Sequence, residues 1–293
     1  DTGKTLTKRV TMPLAAVGGI ATKVGSDFEA GMSRVGATSG ASAEDMKKLE
    51  AKAREMGATT VFSASEASDA FYYMSLAGWD AADMMDGISG VMDLAAASGE
   101  DLALVSDIVT DGLTAFGLSA KESARMADVL AAASSNANTD VAGLGQAFSY
   151  VAPVAGSLGY SMEDTAKAIG LMANAGIKST KAGTALRTMM TNLAKPTKAM
   201  GNAMNELGIS LTDSNGEMKS FDRVMLDLRK SFRKLDKAQQ AQYAATIFGK
   251  EAMSGALAII NASEEDYNDL TKAINESEGA ASEMADVMQD NLQ

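Results

Sequence analysis

The sequence predicts an all-α protein, a multi-helix domain of stacked helical hairpins with one small β-hairpin near 209–219. Three observations predict it: helix-start signals that recur along the chain, glycines placed where helices should stop, and apolar residues at helical spacing. Ser42 with Asp45, Ser63 with Glu66, Ser119 with Glu122, Ser161 with Asp164 and Ser263 with Asp266 all have the S-x-x-E/D form. In each, the hydroxyl can accept from an orphan amide of the first turn while the carboxylate complements the positive end of the helix dipole. Gly57, Gly78, Gly99, Gly117, Gly159, Gly176, Gly208 and Gly249 follow as stop positions, where a left-handed backbone costs glycine little.

Taken in order, residues 13–35 read as one long helix, with Pro13 in its first turn and a stripe of Val17, Ile20, Val24, Phe28, Met32 and Val35. Gly78, Gly117 and Gly159 stand in similar surroundings (AGWDAAD, FGLSAKE, LGYSMED) at the spacing of paired-helix repeats. After Ser119, Met126, Val129, Leu130 and Ala133 share one side and Lys121, Glu122, Arg125 and Asp128 the other. After Ser161, Met162, Ala166, Ile169 and Ala173 repeat the arrangement. Residues 207–221, LGISLTDSNGEMKSF, depart from it: Ile209 and Leu211 alternate, a polar turn follows at 213–216, and Met218 comes after, which is a hairpin pattern. Residues 221–235 return to helix, with Phe221, Val224, Met225, Leu228 and Phe232 inward and Arg223, Asp227, Arg229 and Lys230 outward. The expected organisation is a long N-terminal helix and lead-in (1–40), a helical-hairpin core (41–195), the hairpin with C-terminal helices (196–277), and the polar helical start of a next region (278–293). A first residue other than Met and a last one inside a helix-like pattern suggest a piece of a longer polypeptide.

With 293 residues, 46% of them hydrophobic, the chain can bury a sizeable core. It has no Cys and no His, so thiol nucleophiles, disulfides, zinc thiolates and histidine-based triads are excluded within it. Net charge is −12, which opposes nucleic-acid binding as a whole-chain effect. The charge is also polarised: residues 55–120 hold eleven acidic residues and no Lys or Arg, whereas 165–205 hold six basic residues and no Asp or Glu. Two solvated faces would look like this, and so would an acidic region of one copy meeting a basic region of the next. The apolar run 13–21 is too short to span a membrane.

Motifs with possible chemistry each have a plain structural reading beside them. Asp213, Asn215 and Gly216 have a calcium-loop look, but placing Gly216 sixth puts Leu211 first and Asp222 twelfth, so a turn is preferred. DTGKT at residues 1–5 resembles the end of a phosphate loop without the strand and helix such a loop needs. Glu163 with Asp164, and Asp107 with Asp111, could be imagined as acid and base, yet they fall at capping or exposed helical positions. Twenty methionines and the aromatics Phe71, Tyr72, Tyr73 and Trp79 read as core, with an adaptable interaction surface as the alternative. No catalytic, metal or cofactor site is expected.

The run NAGIKSTKAGTALR at 174–187 resembles the signature of the phage tail tape measure family, specifically the conserved N-terminal region of those proteins. FSASEA at 62–67, LAAASGEDL at 94–102, AFGLSAKESARMADVLAAA at 115–133, LGISLTDSNGEMK at 207–219 and IFGKEA at 247–252 match the same domain in the same order. Each string is unspecific; the ordered set from about 28 to 261 is not. The motif positions carried over are Gly78, Gly117, Gly159, Asn174, Gly176, Gly183, Arg187, Gly208, Asp213, Gly216, Phe248 and Gly249, with structural rather than contact roles.

The resemblance implies a virion protein, made in the host bacterial cytoplasm and held inside the tail of a long-tailed phage or prophage. It sets tail length during assembly and leaves ahead of the DNA. Implied partners are other copies of itself, the tail tube protein, tail assembly chaperones, tail tip proteins and the host membrane on ejection, with no specific nucleic acid. Physical argument narrows the part this stretch plays. One unbroken helix would reach about 440 Å at 1.5 Å per residue, but capped restarts interrupt this chain, so an end or assembly-organising domain is expected rather than the ruler. The alternative is a membrane-active module that inserts helical hairpins into the host envelope; an enzyme reading rests on the carboxylates alone.

Overall fold

Serine, threonine and aspartate side chains start the helices. Ser42, Ser161 and Ser263 accept from the amides of Asp45, Asp164 and Asp266, and Ser63 and Glu66 form a reciprocal capping box. Asp101, Asp140, Ser220 and Asp236 cap four more. Ser119 makes no such bond; a 3-10 turn, Ala120–Glu122, intervenes before the next helix. The structure, a computed structural model, describes residues 12–290, with side chains described from 25 to 288. The DTGKT run and the side chains of Val17, Ile20 and Val24 lie outside the described residues.

Among the described residues there are fourteen α-helices and no strand. By contact the described residues form two compact units that divide between Ile88 and Ser89. The first contains α1 (Met12–Ser39), α2 (Ala43–Thr59), α3 (Ala64–Leu76) and the start of α4 (Ala81–Ser98). Here α3 packs on both α1 and α2. Phe28, Met32 and Val35 of the predicted stripe are buried, together with Leu49, Met56, Phe71 and Met74. Gly57, read as a stop, lies inside α2. A Cβ there would sit 2.5 Å from the Ala64 amide nitrogen, so this glycine admits the start of α3 instead of ending a helix.

The second unit continues with α5 (Leu102–Phe116), α6 (Ser123–Asn136), α7 (Val141–Ser157), α8 (Met162–Asn174), α9 (Ser179–Ala194), α10 (Lys198–Glu206), α11 (Phe221–Phe232), α12 (Lys237–Asn261), α13 (Glu264–Asn275) and α14 (Ala280–Asp290). α5 packs on α7, α7 on α9 and α9 on α12, while α8 touches α6, α7, α9, α11, α12 and α13. That central position explains its sequence: every residue from Thr165 to Ala173 is buried. The side assigned inward in α6 is buried, with Lys121 and Arg125 exposed.

The β-hairpin expected near 209–219 is absent. Thr212 and Met218 form a single isolated antiparallel bridge, and the turn between them is held by the Asp213 carboxylate, which accepts from the amides of Asn215 (2.8 Å) and Glu217 (3.0 Å). Alternation misled because only Ile209 is buried, while Met218 is 46% exposed. Two backbone bonds, from the Asp213 amide to the Glu217 carbonyl (2.9 Å) and from the Lys219 amide to the Leu211 carbonyl (2.8 Å), close the loop, but without a shared apolar face they do not extend into strands.

Candidate functional site: the motif helix pair and a buried ion cluster

The run 174–187 forms the end of α8, the following turn and the first half of α9. Gly176, at φ 84°, lets the Ile177 amide turn back to the Met172 carbonyl at 2.9 Å, closing α8. Asn174 accepts from the Asn138 amide (2.8 Å) and Lys178 donates to the Asn138 side chain (2.7 Å), which ties this turn to the one between α6 and α7. Ser179 follows at φ 52°, a left-handed backbone on a residue with a side chain. Gly183 lets α7 approach: a Cβ there would lie 2.9 Å from Ala147 Cα and closer still to its carbonyl oxygen. Arg187 lies 5.8 Å from the centroid of the Tyr150 ring.

The other motif positions are dispersed. Gly78, Gly117, Gly159 and Gly208 follow helix ends and Gly216 sits in the Asp213 turn, all at positive φ. Gly249 does not end a helix; it kinks α12 from within, at φ 78° and ψ 163°. The Phe248 carbonyl at that kink accepts from Asn192 of α9 at 3.0 Å, and the Phe248 ring is fully buried. So the structure groups Asn174, Gly176, Gly183 and Arg187 on one helix pair and ties Phe248 to α9.

The densest polar chemistry lies where α8 meets α11 and α13. Lys167, with 4% of its side chain exposed, stands 2.6 Å from Asp222, and Tyr267 donates to the same Asp222 carboxylate at 2.7 Å. Two cations lie against the Tyr267 ring, Lys167 Nζ at 3.6 Å and Arg229 Cζ at 4.4 Å from its centroid. Asp164 accepts from the Asp222 amide at 3.0 Å, at the first turn of α11. Burial pulls the Lys167 ammonium below its ordinary range, with the Asp222 hydrogen bond opposing. Burial likewise pushes Asp164 and Tyr267 up, and Tyr160 up to about 12.

Arg229 corrects an expectation. The 221–235 pattern places it outward, yet it is 2% exposed, and it donates to the carbonyls of Ile259 (2.8 Å) and Ala262 (2.9 Å) and to Glu264 (2.8 Å). The end of α12 supplies carbonyls with spare acceptor capacity and partial negative charge, which a guanidinium fork satisfies. The signal was in the sequence: Arg229 is four residues after Met225 and three before Phe232, on the inward face. Asp222 and Tyr267 gave no such signal, because the side chains they bond lie far away in sequence, Lys167 55 positions and Tyr267 45 positions from Asp222.

These groups join α8, α11 and α13. Both imagined carboxylate pairs have other duties or settings: Asp164 serves the α11 amide, Glu163 pairs with Arg125 of α6 at 2.7 Å, and Asp107 and Asp111 sit on an exposed edge of α5. Tyr160 Oη and Glu163 Oε2 are buried without a partner. Among the described residues no group of three acidic side chains could hold a metal ion, and no helix is long and apolar enough to cross a membrane.

The family model for phage-related minor tail proteins matches residues 50–249. The chain belongs to that family of tape measure proteins. It is 43% identical over 290 residues, 99% of its length, to the tape measure protein of Pneumococcus phage Dp-1. It is 33% identical over 251 residues, 85% of its length, to the probable tape measure protein of Escherichia phage P2. The chain spans 25% and 31% of the length of these two relatives. No solved structure matches it. The family match covers the motif helix pair and reaches the Gly249 kink, and the longer relative alignment takes in the ion cluster as well.

Proposed function

We propose that this chain is a folded end or assembly-organising domain of a phage tail tape measure protein, not an enzyme and not the extended ruler. The carrying observation is the interruption of its helices. The longest, α1, has 28 residues, about 42 Å at 1.5 Å per residue, and the others are closed by caps and left-handed glycines into stacked hairpins with buried charges between them. Such a stretch measures distance only if it unfolds into rods. The ruler belongs to the part of the relatives that this chain does not span. On this reading the domain works inside the virion tail with copies of itself, the tube protein, tail chaperones and tip proteins, and it helps set tail length and release the genome.

The test is tail length by electron microscopy in a phage carrying an in-frame deletion of residues 63–195. An end or organising domain gives tails of normal length or no tails. A ruler gives tails shortened by about 200 Å per 1.5 Å-per-residue accounting, and that result would sink the proposal.

A further inference from the structure

A groove between α5 and α7 takes no part in the motif helix pair or the ion cluster. The two helices approach closely at Gly145, where a Cβ would strike the Ile108 side chain, and at Gly156, where one would meet the Ala115 carbonyl. Along the seam Gly112, Ala115, Ala142 and Ala152 leave room, and a groove of about 460 Å³ stays open. Its walls run from residue 104 to 115 on α5 and from 142 to 153 on α7, about 17 Å of helix on each side, or three turns. Ile108 and Phe148 make its floor apolar, and Leu104, 38% exposed, extends that surface at one end.

The rims carry acceptors only where charge is concerned. Asp107 and Asp111, one helical turn apart, stand on the α5 side, and neither enters an ion pair among the described residues. No Lys or Arg occurs anywhere from 55 to 120. On the α7 side, Pro153 lies inside the helix and has no N–H, so the Ser149 carbonyl at the rim lacks its in-helix donor. Burial and the neighbouring Asp111 both push Asp107 upward, a strain that a cation would relieve.

We infer that this groove docks a cationic amphipathic helix of a partner protein, one with Lys or Arg four residues apart beside an apolar stripe. The apolar stripe covers Ile108 and Leu104, the paired cations meet Asp107 and Asp111, and a donor reaches the Ser149 carbonyl. This is helix-in-groove recognition, with anchors one turn apart. It goes beyond the proposed function, since it specifies an interaction surface and its partner's chemistry.

The experiment is fluorescence anisotropy with the whole 293-residue chain and two labelled helical peptides of identical apolar stripe, one with two lysines four apart and one with two glutamates. The lysine peptide should bind about tenfold or more tighter, and salt should weaken it. Asp107→Asn with Asp111→Asn should remove most of that preference, and Ser149→Trp, a change at an exposed rim position, should block binding while the circular dichroism spectrum stays the same. Equal binding of the two peptides, no binding of the lysine peptide, or binding untouched by Ser149→Trp would overturn the inference. So would self-association of the chain that Ser149→Trp abolishes, since a second copy would then be the occupant.

Discussion

Lys167 of α8 lies 2.6 Å from Asp222 of α11, and the ring of Tyr267 from α13 covers the same ammonium. Three helices distant in sequence therefore meet on one charge. Desolvating it is costly, so removing one partner should hurt more than removing both. Asp222 keeps 32% of its side-chain exposure, and screening reduces the cost of leaving it unpaired. Lys167→Met should lower stability by about 2 kcal/mol in urea unfolding, and Lys167→Met with Asp222→Asn by clearly less than the sum of the single changes. Strict additivity would show that the pair is not coupled.

The kink in α12 should depend on its glycine. Gly249 at φ 78° and ψ 163° occupies a region open in practice to glycine alone, where another residue costs about 1–3 kcal/mol. Gly249→Ala should therefore lower the thermal midpoint markedly. Asn192→Ala removes the donor to the Phe248 carbonyl and should cost about 1 kcal/mol. Since both changes act on one bend, the double variant should lose less than the sum, read from thermal melts of the four proteins.

Two helical glycines should respond in opposite directions. At Gly183 a Cβ would press on the Ala147 backbone, whereas at Gly201, inside α10, it would meet nothing within 4 Å. Gly183→Ala should destabilise by about 1–3 kcal/mol through overpacking, and Gly201→Ala should stabilise by about 0.5–1 kcal/mol through helix propensity. Urea midpoints of the two variants decide it. A Gly183→Ala protein as stable as its parent would mean that α7 and α9 can part without cost.

What the sequence made legible was local. Ser42, Ser63, Ser161 and Ser263 start helices because a cap needs only its own next three residues. Alternation at 209–218 failed because a strand is stable only with a partner face, and burial of Ile209 alone supplies none. Gly57 and Gly249 looked like the other stop glycines because a glycine that admits a neighbouring helix, or kinks its own, is spelled the same way. The ion cluster stayed hidden for a related reason. Lys167, Asp222, Arg229 and Tyr267 are ordinary surface residue types until the fold brings them together, and only the helical phase of Arg229 hinted at burial.

Burial also sets a pH response. It pushes the carboxyls of Asp93, Asp107 and Asp164 above the ordinary range, and in Asp93 the charges of Asp128 and Asp286 add to it. Unfolding returns each group to about pH 4. Between that value and the raised one the folded state binds more protons, so stability falls as pH rises through the window and is regained as pH falls through it. Asp45 acts oppositely, since its hydrogen bonds from Ser42 and Lys48 hold it low, but solvent screens it. Lys167, pulled down from its usual range, titrates on the alkaline side, where stability rises with pH. Acidification toward pH 4 should therefore raise the unfolding midpoint. Asp93→Asn tests the cause, because burial and the charges of Asp128 and Asp286 all raise Asp93 and nothing opposes them: the variant should melt higher than its parent at pH 7 and show a shallower rise toward pH 4. An unchanged slope would mean that α4, α6 and α14 keep Asp93 solvated enough to ionise freely.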